Sequence, residues 1–300
     1  MNTSAEFTPP MLNGVSASKV FLQPSNAATV YEYLCKQFPH ITASEWLSRF
    51  QDGLVYDVQG NTLTLDSPFQ ANSHCFYYRF LAHETHVPFE HQILFQNDHF
   101  MVIDKPHFLT MSPTGQYVQE TLLVRLKKQT GIEHLTPIHR LDRETAGVVL
   151  ISKNIASRGL YQQLFATRQV QKTYHAIAGY RDDLKFPHTV RLRMDKGEPF
   201  YTMQVLDGEP NSETEITLLT HKDHLAKYEL KPHTGKQHQL RVHLNFLGIP
   251  ILNDPFYPII KHKADDDFSA PLQLLAKHIE FIDPMSKELM QFSSRQELTL

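Results

Sequence analysis

Residues 138–152 read IHRLDRETAGVVLIS, and the two halves of this stretch differ in chemical character. The second half contains an apolar run from Val148 to Ile151, which is the pattern of a buried β-strand. The stretch therefore predicts a charged turn that leads directly into the interior of a sheet. The charge comes from a group of ionisable side chains in the first half, namely His139, Arg140, Asp142 and Arg143.

Asp142 stands between two arginines, and two interpretations fit this position. A surface salt bridge is the common fate of neighbouring Asp and Arg side chains. Alternatively, the carboxylate is held ionised at the rim of the sheet and reacts with an anionic partner. Residues 121–178 carry nine Lys and Arg against three Asp and Glu, whereas residues 1–104 carry four against ten. The basic segment around Asp142 is therefore either a solvated face or a floor for a polyanion.

The composition excludes several classes of protein. The two cysteines, Cys35 and Cys75, do not form a CxxC pair, which argues against a disulfide scaffold, a cysteine zinc site and thiol redox chemistry. No run of about 18 or more apolar residues is present, so no membrane span is expected. The N-terminus lacks a basic segment followed by an apolar one, so a cytoplasmic location is expected.

The chain is long for one domain, and its patterns divide it into three parts. Residues 1–24 show little periodicity and are predicted to be an irregular arm. Residues 25–85 are predicted to form a small α+β module of two short helices and a hairpin. A capping box, Thr42-x-x-Glu45, marks the start of the second helix. The hairpin is predicted from the alternating runs LVYDV and TLTLD.

Residues 86–300 are predicted to form an α+β domain in which a mixed, mostly antiparallel central sheet is flanked by helices. The run ILFQNDHFMVIDKP predicts a hairpin that turns at Asn97-Asp98. Three helices are predicted, at ETLLVRLKKQTG, NIASRGLYQQLFATRQ and QHQLRVHLNFLG. Further strands are predicted at GVVLIS, QKTYHAIAGY, VRLRM, TEITLLT, AKYELKP, LQLLAKHIEFIDP and LMQF.

Two further clusters supply side chains that could act together with Asp142. His238 and Arg241 lie at i and i+3 just inside the predicted helix QHQLRVHLNFLG, and therefore on one face. A helix N-terminus and a basic side chain together favour an anion, which makes Arg241 the expected partner of Asp142. In the predicted strand QKTYHAIAGY, Lys172 and Tyr174 lie two residues apart and so on the same side.

The 18 histidines make a metal site worth testing. His233, His238 and His243 fall five residues apart, which places them on different faces of a helix, and the chain has no HExxH motif. No metal site is therefore expected. A metal-dependent phosphodiesterase built on these histidines stays an alternative, which loss of activity with a chelator would support.

Five motifs of this chain resemble, in the same order, those of the RluA family of RNA pseudouridine synthases. HRLDRETAGVVLISK resembles the family signature HRLDxxTSGLLLxAK. ILFQNDHFMVIDKP is similar to the first hairpin of the family, and KTYHAIAGY is similar to its K-x-Y strand. HTGKQHQLRVHLNFLGIPILNDPFY resembles TGRTHQIRVHLxxLGxPIxGDxxYG, and LLAKHIEFIDP resembles LHAxxLxFxHP. The module at 28–66 resembles, more weakly, an S4 RNA-binding domain.

The resemblance implies the pseudouridine synthase fold and the isomerisation of uridine to pseudouridine in structured RNA by base flipping, without a cofactor. It implies that Asp142 is the catalytic carboxylate, either as a nucleophile at the ribose C1′ or as a base for a ribose proton. Arg241 would pair with Asp142, and Tyr174 would stack on the target uracil. Arg140 would fill the space left by the flipped base. The other implied RNA contacts are His139, Arg143 and Lys172.

The resemblance also implies the partner. The expected substrate is a stem-loop of ribosomal large-subunit RNA or of transfer RNA, and neither DNA nor a membrane is expected as a partner. A monomer is expected because no self-pairing helix or long apolar edge stands out. A catalytically inactive RNA-binding or assembly factor on the same fold stays the alternative function.

Overall fold

The structure is a computed structural model that describes residues 7–79, 81 and 83–300. The chain divides into two compact units. The first consists of the described residues of Met1–Glu84 together with Thr114–Gln119 and Val124–Glu133. The second consists of Thr85–Pro113, Glu120–Leu123 and His134–Leu300.

The first unit contains a small three-stranded sheet and two short helices. In chain order these are β1 (Ser18–Leu22), α1 (Val30–Gln37), α2 (Ala43–Gln51), β2 (Val55–Asp57) and β3 (Ser73–Tyr77). The sheet has the order β1-β3-β2, and both pairings are antiparallel. Its core is built from apolar side chains of both helices and all three strands, among them Leu22, Leu34, Trp46, Val55 and Cys75.

The predicted helix start at Thr42 is confirmed. The Thr42 side chain accepts a hydrogen bond from the backbone N–H of Glu45, and the Glu45 carboxylate accepts one from the backbone N–H of Thr42. This reciprocal pair satisfies two of the N–H groups that a helix N-terminus leaves without a partner. The cap places Trp46 one turn into the helix, where its side chain is completely buried.

The hairpin predicted between LVYDV and TLTLD forms only around its turn. The Asp57 N–H donates to the Asn61 carbonyl and the Leu63 N–H donates to the Val55 carbonyl, but TLTLD does not continue as a strand. Thr62 makes only an isolated bridge to Tyr56, whereas Thr64 and Ser67 form a local turn. In that turn the Thr64 N–H donates to the Ser67 hydroxyl and the Ser67 N–H donates to the Thr64 carbonyl. These local bonds use the backbone groups that a strand ladder would need. The true partner of β2 is β3, later in the chain.

The stretch predicted to be an irregular arm, 1–24, contains a strand. Residues Ser18–Leu22 form β1, which pairs with β3 from Ser18 opposite Tyr77 to Leu22 opposite Ser73. A five-residue strand has too short a pattern to stand out in the sequence, because its stabilising partner lies about fifty residues further on. The S4-like character of 25–85, and its separation from 1–24, stay predictions.

The second unit is built on one large sheet. Its strands are β4 (Gln92–Gln96), β5 (Phe100–Lys105), β6 (Thr136–Pro137), β7 (Ala146–Ser152), β8 (Gln171–Gly179), β9 (His188–Lys196), β10 (Met203–Leu206), β11 (Ser212–Lys222), β12 (Leu225–Pro232), β13 (Leu274–Ile282) and β14 (Leu289–Ser293). The main path runs β10-β9-β11-β12-β8-β13-β7-β5-β4, with β14 paired to β13 and β6 paired to β7. Only the β13–β7 pair in this sheet is parallel among the described residues, so the predicted mixed, mostly antiparallel α+β architecture is confirmed.

Three helices follow the predicted positions, namely α3 (Leu122–Thr130), α4 (Ile155–Ala166) and α5 (Gln239–Phe246). Tyr161 and Leu164 of α4 pack with one apolar cluster of the sheet. Leu240 and Leu244 of α5 pack with a second cluster. Every residue of β7 is buried, as its apolar run predicts. The short strands β6 and β10 were not predicted, because their pairing with β7 and β9 is not visible in the runs themselves.

Gly147 is required where β7 meets β13. Its φ is +112°, and a Cβ atom there would lie 2.2 Å from the carbonyl oxygen of Ala276. The absence of a side chain therefore permits the parallel pairing of Ala276 with Gly147. This contact lies at the start of β7 and fixes the position at which the Asp142 turn enters the strand.

Candidate active site

The turn that carries Asp142 is held by its own backbone carbonyls. The N–H of Thr145 donates to the carbonyl of Asp142 at 3.1 Å and closes the turn. Lys105 Nζ donates to the carbonyl of Arg143 at 3.2 Å, and His107 Nδ1 donates to the carbonyl of Glu144 at 2.7 Å. Three successive carbonyls are thus bonded, so the turn has little freedom to move its side chains.

Lys105 joins this turn to the segment that follows β5. Its side chain is completely buried, and Nζ also donates to the carbonyls of Pro106 at 3.0 Å and Leu109 at 2.9 Å. Burial lowers the pKa of Lys105 to about 7, although the negative charges of Glu144 and Asp142 act in the opposite direction. These contacts give Lys105 a structural role.

Arg241 reaches the site from the first turn of α5, and its guanidinium is buried between two carboxylates. Nε and Nη2 donate to the two oxygens of Asp254 at 2.8 and 2.6 Å, while Nη1 donates to Asp142 Oδ2 at 3.3 Å. Burial alone would lower the pKa of Arg241, but the hydrogen bonds and charge of Asp254, followed by the charge of Asp142, raise it. The predicted contact between Asp142 and Arg241 is therefore present.

The two carboxylates that share Arg241 differ in their access to solvent. The Asp254 side chain has no exposed surface and also accepts hydrogen bonds from the backbone N–H groups of Phe256 and Tyr257. The Asp142 side chain is 31% exposed and receives only the longer of the guanidinium contacts. Asp254 is thus a satisfied structural counterion, whereas Asp142 is an anion that a substrate can approach.

Tyr174 faces the same site from β8, opposite Leu230 of β12 and Ala276 of β13. Burial raises the pKa of Tyr174, and the negative charge of Asp142 raises it further, so the phenol keeps its proton at neutral pH. Lys172 lies two residues earlier on the same strand, and burial lowers the pKa of Lys172. The structure therefore brings Asp142, Arg241 and Tyr174 together, as the sequence predicts.

The three residues predicted to contact RNA around Asp142 have different surroundings. Arg140 is exposed. Arg143 forms an ion pair with Glu144 at 3.0 Å, and its guanidinium lies 5.7 Å from the ring centre of Phe108. His139 is held within the protein, as described next. Asp142 forms an ion pair with Arg241, which is distant in sequence.

His139 makes contacts typical of a structural histidine. Its Nε2 accepts a hydrogen bond from the Leu150 N–H at 3.2 Å, and its ring stacks on Phe165 with centroids 4.4 Å apart. Burial, together with the positive charge of Lys172, lowers the pKa of His139 to about 3. His139 is therefore neutral at physiological pH and fixes the path into β7. Its contact with RNA stays a prediction.

Three residues of the site were not assigned from the sequence. Asp254 was passed over because it is a lone acidic residue 13 positions beyond Arg241, in the segment after α5. His238 was noted only for its position on the face of Arg241. Tyr257 was read only as part of a motif. The available signal was the motif HTGKQHQLRVHLNFLGIPILNDPFY, in which Asp254 and Tyr257 stand at the D and Y of the family pattern GxPIxGDxxYG.

A cavity of about 240 Å³ opens beside the Asp142 turn. Arg143 and Glu144 line it on the side of the turn. Aromatic rings and basic side chains line the other sides, including Phe108, Tyr201, Phe256, Lys261 and Lys263. Flat rings and cations are the groups that contact the bases and phosphates of single-stranded nucleic acid.

Comparisons with known proteins identify the family. Residues 99–246 match the family model described as RNA pseudouridylate synthase. The tRNA pseudouridine synthase C of Vibrio vulnificus is 31% identical over 216 residues, which cover 66% of this chain and 87% of that protein. The chain belongs to the RluA family of RNA pseudouridine synthases. A dual-specificity RNA pseudouridine synthase RluA of Pasteurella multocida is 32% identical over 206 residues, which cover 67% of this chain and 91% of that protein.

Solved structures agree with the fold of this RNA pseudouridine synthase. Human RNA pseudouridylate synthase domain containing 1 has a TM-score of 0.56 at 23% identity, covering 69% of this chain and 84% of that one. Human RNA pseudouridylate synthase domain containing 4 has a TM-score of 0.52 at 27% identity, covering 68% and 88%. The expectation of a pseudouridine synthase fold is confirmed.

Two absences can be stated for the described part of the chain. Across residues 7–79, 81 and 83–300, none of the helices combines the length and the apolar character that a membrane span requires. The same residues contain no group of three or more His, Cys, Asp or Glu side chains arranged to hold a metal ion. The expected lack of a metal or cofactor in the reaction stays a prediction.

Proposed function

We propose that this synthase converts uridine to pseudouridine within a stem-loop of ribosomal large-subunit RNA or transfer RNA, with Asp142 as the catalytic carboxylate. The observation that carries the proposal is the contrast between the two carboxylates on Arg241. Asp254 is enclosed and fully bonded, whereas Asp142 is partly exposed at the end of a fixed turn. An ionised carboxylate with a buried cation behind it and an open side in front suits attack on a sugar.

The chemistry is an isomerisation, so its atoms balance without a second reactant. The C1′–N1 bond of uridine breaks, the uracil rotates, and a C1′–C5 bond forms. The proton on C5 leaves and N1 gains a proton. Asp142 acts at the ribose of the target, and Arg241 donates a hydrogen bond to its Oδ2 at 3.3 Å. Tyr174 lies against the uracil and offers a protonated hydroxyl beside it.

The target base has to leave its stack before Asp142 can reach the sugar, which costs a few kcal/mol. We propose that Arg140 fills the vacated space, since its exposed guanidinium is planar and cationic and belongs to the same turn as Asp142. His139, Arg143 and Lys172 complete the proposed RNA contacts. The basic segment 121–178 supports them by attracting the phosphate backbone.

The names of the relatives support the choice of substrate. One is a tRNA pseudouridine synthase, and another is a dual-specificity RNA pseudouridine synthase. For the domain organisation we propose residues 86–300 as the catalytic domain and 25–85 as an accessory RNA-binding module. The low cysteine content supports a cytoplasmic location.

The test uses RNA labelled with tritium at C5 of uridine, because formation of the C1′–C5 bond releases that hydrogen. Total RNA from cells lacking the gene is incubated with the purified chain, and tritium release is counted. We expect release with the wild type and none with Asp142→Asn, at unchanged RNA affinity. Asp207→Asn, which neutralises an exposed carboxylate, serves as the control. Wild-type release by Asp142→Asn would reject the proposal.

A further inference from the structure

Helix α5 begins in an unusual way. Its N-cap residue, His238, has φ 53° and ψ 16°, the left-handed conformation, and makes no side-chain hydrogen bond to the helix. N-cap residues ordinarily have extended backbone and short polar side chains that bond to the first turn. A left-handed non-glycine residue is uncommon and costs free energy unless its surroundings hold it there. The imidazole of His238 is buried.

The two ring nitrogens of His238 face different partners. Nδ1 lies 2.9 Å from the hydroxyl of Tyr257, and Nε2 lies 3.7 Å from Asp142 Oδ2. The Tyr257 hydroxyl also accepts a hydrogen bond from the Met203 N–H at 2.8 Å. The Asp142 carboxylate can only accept hydrogen bonds, which favours the tautomer with the imidazole proton on Nε2. In that tautomer Nδ1 accepts from the Tyr257 hydroxyl.

The charged groups around His238 come from three segments. The turn before β7 supplies Asp142 and Glu144, α5 supplies Arg241, and the segment after α5 supplies Asp254. Burial lowers the pKa of His238, and Arg241 acts in the same direction, while the three carboxylates oppose them. The net effect favours the neutral ring at physiological pH. The ring therefore adds a hydrogen-bond donor to the site without a second full positive charge.

Arg241 donates a hydrogen bond to Oδ2 of Asp142, and the His238 imidazole faces the same oxygen from beyond hydrogen-bond length. Arg241 Nη1 lies 3.3 Å from Asp142 Oδ2, and His238 Nε2 lies 3.7 Å from that oxygen. The structure records no hydrogen bond from the described residues to Oδ1. Contacts of this length are common in free enzymes and shorten when substrate is bound. The arrangement leaves one oxygen of the carboxylate for reaction and anchors the other.

We propose that His238 is a positioning residue for Asp142, a neutral imidazole that Tyr257 orients so that its Nε2–H holds Oδ2 and Oδ1 is presented to the target nucleotide. The inference rests on the proposed role of Asp142. It adds a residue pair, His238 and Tyr257, that transmits position from the backbone of β10 to the reacting carboxylate.

The first test separates the two ring nitrogens by substitution. The amide of His238→Gln can replace Nε2 and reach Asp142, whereas the amide of His238→Asn can replace only Nδ1 and reach Tyr257. Asn is the better residue for a left-handed position, so folding favours His238→Asn. We expect kcat to fall about ten- to a hundredfold in His238→Asn and about threefold in His238→Gln, with KM little changed in both.

The second test changes the proton location without touching His238. In the wild type, the Tyr257 hydroxyl donates to Nδ1 and thereby stabilises the neutral ring. Tyr257→Phe removes this hydroxyl. The imidazole should then protonate at higher pH, next to Asp142, and the acid limb of the kcat profile should move upward. A purely structural role of Tyr257 would lower the melting temperature and leave the position of this limb unchanged.

His243→Gln is the matched control for damage to α5. His243 is a buried histidine of the same helix whose Nε2 bonds to the Ser212 hydroxyl at 2.9 Å. His243→Gln should lower the free energy of unfolding without changing kcat or the pH position of the acid limb. Equal losses of kcat in His238→Asn and His238→Gln, or an unmoved acid limb in Tyr257→Phe, would overturn the inference. If the wild type is active and Asp142→Asn is inactive, either of these two results rejects the role of His238 and leaves the proposed role of Asp142 intact.

Discussion

Arg241 gives its two shortest hydrogen bonds to Asp254, at 2.8 and 2.6 Å, through its Nε and Nη2 atoms. This bidentate contact with Asp254 is sufficient to fix the plane of the guanidinium. Only Nη1 is left to contact the partly exposed carboxylate of Asp142. The direction of the ion pair between Arg241 and Asp142 is therefore set by Asp254, whose side chain has no exposed surface.

The first prediction concerns Asp254→Asn. This substitution leaves the buried charge of Arg241 with half of its compensation, and breaking a buried pair in this way costs about 3 kcal/mol of unfolding free energy. Activity per folded molecule should also fall, because the guanidinium is no longer held in one plane. Urea unfolding gives the first quantity and tritium release gives the second. The exposed Asp207→Asn should change stability by less than about 0.5 kcal/mol. An unchanged urea midpoint in Asp254→Asn would contradict the prediction.

The second prediction concerns Tyr174→Phe, which keeps the ring and removes the hydroxyl. The pKa of Tyr174 is raised by burial and by Asp142, so the missing group is a protonated donor throughout the neutral and mildly alkaline range. We expect RNA affinity within about threefold of wild type and kcat lower by about a hundredfold, the scale of proton-transfer catalysis. Tyr180→Phe is the control, since Tyr180 follows the same strand and stacks on His221 at 4.1 Å. Equal activity of the Tyr174 and Tyr180 variants would remove Tyr174 from the mechanism.

The accuracy of the sequence-based predictions follows the range of the interactions. Strand β7 and helix α4 were predicted because an apolar run and a cap at Asn154 are visible locally. The hairpin predicted from TLTLD forms only at its turn, because backbone groups of Thr64 and Ser67 bond within a local turn instead of to β2. Strand β1 was missed because its partner, β3, lies about fifty residues further along the chain.

The site shows the same dependence on range. The contact of Asp142 with Arg241 was expected from two motifs, although the residues are 99 positions apart. The pairing of Arg241 with Asp254 was not, although both residues belong to one motif, because the motif does not show which side chains meet in space. The left-handed backbone of His238 and the proton on its Nε2 depend on Tyr257 and Met203, and neither is visible in the order of amino acids.

The third prediction concerns the pH dependence of stability and Lys105. Its pKa is about 7 in the folded protein and about 10.4 when unfolded, so between these values the unfolded chain binds more protons. Stability contributed by Lys105 therefore rises as pH increases from about 7 towards 10. Lys105→Met should abolish this rise, which amounts to about 1 to 2 kcal/mol between pH 7 and 9. Urea unfolding of both proteins at the two pH values measures it, with the exposed Lys185→Met as control. An equal pH dependence in wild type and Lys105→Met would show that Lys105 is not the source.

The fourth prediction concerns Arg140→Ala and separates base flipping from stability. Arg140 is exposed, so its removal should change the unfolding free energy by less than about 0.5 kcal/mol. On a folded stem-loop we expect kcat/KM to fall about ten- to a hundredfold, because no cation then fills the space of the flipped base. On a short unstructured RNA the loss should be smaller, since little unstacking is needed.

The same variant can be checked by salt titration, because loss of one phosphate contact lowers the slope of log K against log salt by about one. Lys287→Ala is the control for loss of one positive charge. Lys287 lies in the turn between β13 and β14, at the end of β13 opposite to the one that pairs with β7. Lys287→Ala should keep the wild-type kcat/KM on both the folded stem-loop and the unstructured RNA. A role in unstacking requires the loss of kcat/KM in Arg140→Ala to be larger on folded than on unstructured RNA. An equal loss on both substrates would show that the guanidinium binds RNA without assisting base flipping.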